Sequence, residues 1–291
     1  MKLSITPISL SKTIREERWT LERFLGYAAG LGADGVDLLH GDKYPWLWQD
    51  RARDMRALPG WLDKAGLKLA AFAAGNNFAQ SDPAAFDQQV AMVHAALREA
   101  GELGAPVLRI FGGHHEANGG EKGMTTAAGL PHVMRGIERC LAEAEKRRVV
   151  LALENHGRLP GHAYEVDAIL RAFDSPWLRA TFDAANFMGS NMDEKEDALH
   201  AYGVLRGRIA HVHVKDLGPS MLYDRRQHGY VAGMGIVPLR QLAAALEADG
   251  YAGYCSLEYE AGMVVPEPFG VPQSMAYLAS IRAIHQALNR R

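Results

Sequence analysis

Short runs rich in Leu, Ile, Val and Ala alternate along this chain with longer stretches whose apolar residues recur every three or four positions. The short runs read as strands: Leu3–Ile8, Gly35–Leu39, Leu67–Ala73, Pro106–Phe111, Val149–Glu154, Leu178–Asp183, Ile209–Val214 and Tyr254–Tyr259. The longer stretches read as amphipathic helices: Thr20–Leu31, Asp50–Ala65, Pro83–Leu103, Thr125–Arg147, Glu165–Phe173, Glu194–Arg206, Pro238–Asp249 and Pro272–Leu288. Asp82-Pro83 and Ser175-Pro176 have the form of helix starts, and Gly32, Gly66 and Gly104 of helix stops. Strands and helices in strict alternation predict an α/β fold with a parallel sheet. A closed (β/α)8 TIM barrel accounts for eight strand–helix units better than a doubly wound sheet. The 291 residues suffice for such a barrel, which typically takes about 250. No linker, low-complexity segment or composition shift divides the chain, so residues 1–291 read as a single domain.

The last four strands carry polar residues where a strand should end. Side chains two apart in a strand share a face. Ala152 and Glu154 therefore oppose Leu151 and Leu153, and Thr181 and Asp183 oppose Phe182. His211 and His213 oppose Val212 and Val214, and Ser256 and Glu258 oppose Cys255 and Leu257. With the apolar set packed on outer helices, Glu, Asp, His and Glu converge on the C-terminal mouth, where barrel active sites lie. Taken singly, each such residue is as readily a cap, a surface charge or buried structure. Together, three carboxylates at one mouth would repel one another, and a cation removes that cost. Three oxygen donors and one imidazole form a fairly hard ligand set. It suits one divalent metal ion, Mn²⁺ above all, with Co²⁺, Mg²⁺, Fe²⁺ or Zn²⁺ also compatible.

Leu153-Glu154-Asn155-His156-Gly157, Phe182-Asp183-Ala184-Ala185-Asn186-Phe187, His211-Val212-His213-Val214-Lys215-Asp216 and Ser256-Leu257-Glu258 resemble motifs of the xylose-isomerase-like TIM-barrel superfamily. The resemblance runs from first strand to last helix and is nearest to the sugar phosphate isomerase/epimerase group, with its ketose 3-epimerases, hydroxypyruvate isomerase and inosose dehydratase. It implies one catalytic metal on Glu154, Asp183, His213 and Glu258, with Glu154 and Glu258 also moving protons on opposite faces of the substrate. The implied chemistry is isomerisation or epimerisation of a sugar or small polyol or keto substrate through an enediolate. Ketose 3-epimerases usually carry His where this chain has Asn186, and a second Glu where it has Pro160. A free ketohexose substrate therefore does not follow from the resemblance.

Further residues are candidates for the same mouth. His156, two residues beyond Glu154, is a substrate contact or a structural loop histidine; Asn186 and His211 are candidate substrate contacts. Arg109, inside the fourth strand, would be costly to bury unpaired, so it pairs with a carboxylate such as Glu154 or holds a substrate oxygen. The run 112–120, Gly-Gly-His-His-Glu-Ala-Asn-Gly-Gly, reads as a solvated, flexible loop that could also serve as a lid. The aromatics of Tyr44-Pro45-Trp46-Leu47-Trp48 either wall a sugar site or bury against a second subunit. The long segment Leu217–Gly235 holds Arg225 and Arg226, which either bind an anionic substrate group or form a charged turn.

Charge and composition narrow the partners. The 32 Lys and Arg nearly cancel the 34 Asp and Glu, leaving no basic excess for nucleic acid or a membrane surface. No apolar run approaches the roughly 18 residues of a membrane span. Cys140 and Cys255 sit in apolar segments and read as buried thiols, consistent with a cytoplasmic protein. A homo-oligomer is compatible with this reading. A dehydratase sharing the first proton abstraction is the nearest rival. An endonuclease IV-like nuclease is remote, because Ala73-Ala74-Gly75-Asn76-Asn77 supplies none of the extra His ligands such a site needs.

Overall fold

A computed structural model describes residues 1–41, 44–190, 195–218 and 229–288. Eight strands form a closed parallel barrel: β1 Lys2–Ile5, β2 Gly35–Leu39, β3 Lys68–Ala73, β4 Val107–Phe111, β5 Val150–Glu154, β6 Leu178–Asp183, β7 Ile209–Val214 and β8 Tyr254–Leu257. Their order around the barrel is β1-β8-β7-β6-β5-β4-β3-β2. The longer helices are α1 Leu21–Gly30, α2 Arg51–Ala65, α3 Pro83–Leu103, α4 Thr126–Arg147, α5 Ala163–Phe173, α6 Ala198–Leu205, α7 Leu239–Ala248 and α8 Glu267–Leu288, and a short helix, Ser11–Glu16, precedes them.

The starts and stops are largely those the side chains prescribe. Asp50, Asp82, Thr125 and Asp197 cap α2, α3, α4 and α6 by accepting from the N–H three residues on. Gly66 and Gly104 end α2 and α3 in the left-handed conformation. Some expectations fail locally, and the strand expected over Tyr254–Tyr259 stops at Leu257. Ser175-Pro176 opens a turn into β6, in which Ser175 Oγ accepts from the N–H of Trp177, and no helix begins there. β1 ends at Ile5 because Pro7 begins a 3-10 helix, Pro7–Leu10, with Thr6 as its cap. α8 begins at Glu267, so Pro272 lies inside it.

Backbone contacts group the chain into two compact units. One comprises residues 1–38, 42–70 and 212–291. Within it β2, β1, β8 and β7 pair in parallel, with Ser4 beside Ser256 and Ser256 beside His213. The other comprises residues 39–41 and 71–211. There β3, β4, β5 and β6 pair in parallel, with Arg109 beside Ala152 and Glu154 beside Thr181. In this second unit Ala71, Val107 and Ala152 pack into a small apolar layer. Along β5 the same face runs from Ala152 to Glu154, so it is apolar at depth and charged at the strand end.

The segment after β4 is not a free loop. Gly113–His114 pairs antiparallel with Arg158–Leu159, and the N–H of His115 donates to Gly157 O at 2.8 Å. A Cβ on Gly112 would collide with the carbonyl oxygen of Leu159, so this ribbon requires glycine there. In the segment after β2, Leu47 and Trp48 are buried, and the Arg15 guanidinium lies over Trp46, 5.6 Å from the ring centre. No helix among the described residues is long and apolar enough to cross a membrane.

Candidate metal centre

Glu154 closes β5, and each of its oxygens has a neighbour. Asn186 Nδ2 donates to Oε1 at 3.3 Å, and Arg109 Nε lies 3.2 Å from Oε2. Arg109 is itself fixed: NH1 donates to Ala74 O at 3.0 Å, and its guanidinium stacks 3.9 Å from the centre of the Phe111 ring. Of the two roles open to this arginine, the ion pair with Glu154 is the one present. Asp183 ends β6, wholly buried. Its Oδ1 accepts from the N–H groups of Ala185 and Asn186 at 2.9 and 3.2 Å, which turns the chain away from the strand. That leaves the carboxylate fixed at the strand end by backbone donors. Asn186 thus touches both carboxylates, one through its side chain and one through its backbone.

His213 and Glu258 belong to the other unit. The imidazole is buried in β7, with Nδ1 3.6 Å from Glu258 Oε2 and Nε2 3.6 Å from Asp37 Oδ2. The N–H of Glu258 donates to Val214 O at 3.0 Å, so the glutamate begins one residue beyond β8, level with Lys215. Lys215, with its side chain only 3% exposed, sets Nζ 3.1 Å from Glu258 Oε2 and 2.8 Å from Glu260 Oε2. Beyond Glu258, Tyr259, Glu260, Lys12 and Glu267 line a cavity of ≈ 470 Å³.

Glu154 and Asp183 in the one unit, and His213 and Glu258 in the other, each offer a ligand atom of the kind a metal ion takes. The donor set fits a divalent cation. Two of its three carboxylates are fully buried and the third nearly so, an arrangement that costs several kcal/mol without positive charge nearby. Arg109 and Lys215 supply part of that charge, and a cation that takes oxygen and nitrogen donors would supply the rest.

Of the other candidates, His211 is wholly buried, and His156 stacks on Phe111 with ring centres 4.4 Å apart. Arg225 and Arg226 lie outside the described residues. Three buried charged residues with no role assigned from the sequence also stand here. Lys215 lies beside Glu258 and Asp37 beside His213, as above. Asp216, also buried, accepts four backbone N–H groups: Leu217 and Val237 on Oδ1 at 2.9 and 3.0 Å, Gly233 and Gly235 on Oδ2 at 2.8 and 3.0 Å. A Cβ on Gly235 would collide with Asp216 Oδ1. Burial pushes the Asp216 carboxyl up from its usual range, and the four donors work against that shift. The available signal was a charged residue inside an apolar strand (Asp37) or directly after one (Lys215, Asp216).

A family model described as "Xylose isomerase-like TIM barrel" matches residues 25–281. The chain is 24% identical over 292 residues to an inosose dehydratase of Geobacillus thermodenitrificans (strain NG80-2), covering 92% of this chain and 93% of that protein. Among solved structures, a D-tagatose 3-epimerase-like protein superposes with a TM-score of 0.75 at 18% identity, covering 98% of both chains. The probable 3-DHS dehydratase AsbF from Bacillus anthracis superposes with a TM-score of 0.74 at 17% identity, covering 96% of this chain and 99% of that one.

Proposed function

This chain belongs to the xylose isomerase-like TIM-barrel family, and from that premise we propose that it is a metal-dependent isomerase or epimerase of a sugar or related small polyol or keto substrate. The observation that carries the proposal is the pairing of metal donors within each unit of the barrel: Asn186 bonds both Glu154 and Asp183 in one, and His213 Nδ1 stands 3.6 Å from Glu258 Oε2 in the other. These four residues would hold the metal, with all 291 residues serving one barrel domain. When bound, a divalent cation would polarise the substrate carbonyl and offset the charge that grows on its oxygen.

The chain's own groups do the rest. Glu258 takes the proton from the carbon beside the carbonyl, and Glu154 stands ready to return one from the other side, as inversion at that carbon requires. Two strands separate β5 from β8 in the barrel order, which supports approach from different sides. Arg109 and Asn186 keep Glu154 oriented, and Lys215 does so for Glu258. His156, His211 and Asn186 are the candidate substrate contacts.

A dehydratase is the second reading, favoured by the Geobacillus inosose dehydratase among the relatives. It begins with the same proton abstraction and differs only in that a β-hydroxyl then departs. The test is a panel of ketoses, inososes and keto acids in D₂O with divalent metal, followed by NMR. Deuterium at the reacting carbon of an epimer or isomer supports the first reading. Appearance of an unsaturated ketone or its tautomer supports the second. Neither exchange nor product with any carbonyl polyol, from protein that binds metal, overturns both.

A further inference from the structure

We infer that Asp37 is a positioning residue that holds His213 in the tautomer whose Nδ1 lone pair faces the metal site, an inference that rests on the metal reading above. The two ring nitrogens of His213 face opposite carboxylates: Glu258, one of the four proposed ligands, on the Nδ1 side, and Asp37, outside that set of four, on the Nε2 side, each 3.6 Å away. A neutral imidazole carries one N–H and one lone pair, and its surroundings select which nitrogen holds the proton. A carboxylate facing Nε2 favours the proton there, which leaves Nδ1 as the donor on the Glu258 side.

Asp37 is the one charged residue of its strand. It stands in Gly35-Val36-Asp37-Leu38-Leu39, between two wholly buried aliphatics, and its side chain is 3% exposed. An ionised carboxylate at such depth costs several kcal/mol that Val or Leu in the same strand would not. The 3.6 Å separation exceeds a hydrogen bond. A cation drawing on Nδ1 makes the Nε2 proton more acidic and strengthens its attraction to Asp37, the general pattern of a carboxylate behind a metal-ligating histidine.

The direct test is the long-range ¹H–¹⁵N spectrum of the imidazoles in metal-free protein near pH 8, with the His213 signals assigned by their loss in His213→Gln. The Nε2–H tautomer is expected in the wild type, and in Asp37→Leu a mixture or the Nδ1–H form. A wild-type Nδ1–H tautomer overturns the inference. In parallel, Co²⁺ titration followed by visible absorption reads metal affinity without turnover. Asp37→Asn and Asp37→Leu should each bind Co²⁺ about 10- to 100-fold more weakly, with metal-free unfolding midpoints no lower than the wild type's for Leu, and Asp37→Glu should recover part of the loss. Wild-type affinity in both the Asn and Leu variants overturns the inference. So does a wild type that takes two ions per chain where Asp37→Asn takes one, since Asp37 would then itself be a ligand. Failure of the metal reading looks different: the wild type binds no Co²⁺ at all, and Asp183→Asn changes nothing.

Discussion

Lys215 Nζ lies 3.1 Å from Glu258 Oε2, and the register that sets Ser256 beside His213 brings these two residues level just past their strands. Glu260 closes on the same ammonium at 2.8 Å but is 40% exposed. Lys215 is therefore the buried cation that lets a glutamate stand at this depth. Lys215→Met should destabilise the metal-free protein by about 3 kcal/mol, the lower end for breaking a buried pair, because water reaches Glu260. Urea unfolding checks this, and a change under about 0.5 kcal/mol would mean the pair is not structural.

Purified protein should carry about one divalent metal ion per chain, as elemental analysis would show. Asp183→Asn keeps the shape of the side chain and removes a charge, so it should lower metal content and turnover together. Metal-free protein with full activity would end the metal reading.

Glu154→Gln and Glu258→Gln each keep an oxygen donor but cannot take a proton. Both variants should retain substantial metal while turnover falls at least about a hundredfold, the usual scale for general-base catalysis. Metal-replete Gln variants with near-normal rates would move the base to His156 or His211.

Asp216→Ala should cost about 3 kcal/mol or more, because four backbone N–H groups lose their acceptor at once. Asp216→Asn should cost less, since it keeps one acceptor oxygen. Equal stability of Ala and Asn variants in chemical denaturation would show that the donors find other partners.

Burial pushes the thiols of Cys140 and Cys255 up to about 12, so both stay protonated at neutral pH. The native protein should react slowly with a disulfide reagent at pH 8 and release two equivalents of thiol chromophore once denatured. A folded-state pKa above the unfolded thiol's value of about 8.5 contributes stability that is complete below pH 8.5. That contribution is lost as pH climbs toward 12. Replacing both cysteines with Ala or Val should flatten the alkaline decline in stability, and an unchanged alkaline profile would count against it.

Local order in the chain was enough for the barrel and for four metal-site candidates. Strand alternation has a period of two, so Glu154 and Asp183 declare their face within their own strands, and β2, β6 and β7 end where the apolar runs end. Helix capping is equally local, which is why Asp50, Asp82 and Thr125 were legible as starts. Ser175-Pro176 carries the same local form and opens a turn instead, because the packing of β6 claims the residues that follow. Tertiary structure decided the partners. Burial in an apolar strand was enough to suggest a strand-end carboxylate such as Glu154 for Arg109, but nothing near His213 names Asp37; the pairing of distant strands brings those two together. The pairing of Gly113–His114 with Arg158–Leu159 and the four donors gathered on Asp216 arise the same way. A buried charge advertises in sequence only that it needs a partner, while the identity of that partner depends on contacts between distant segments that no local period encodes.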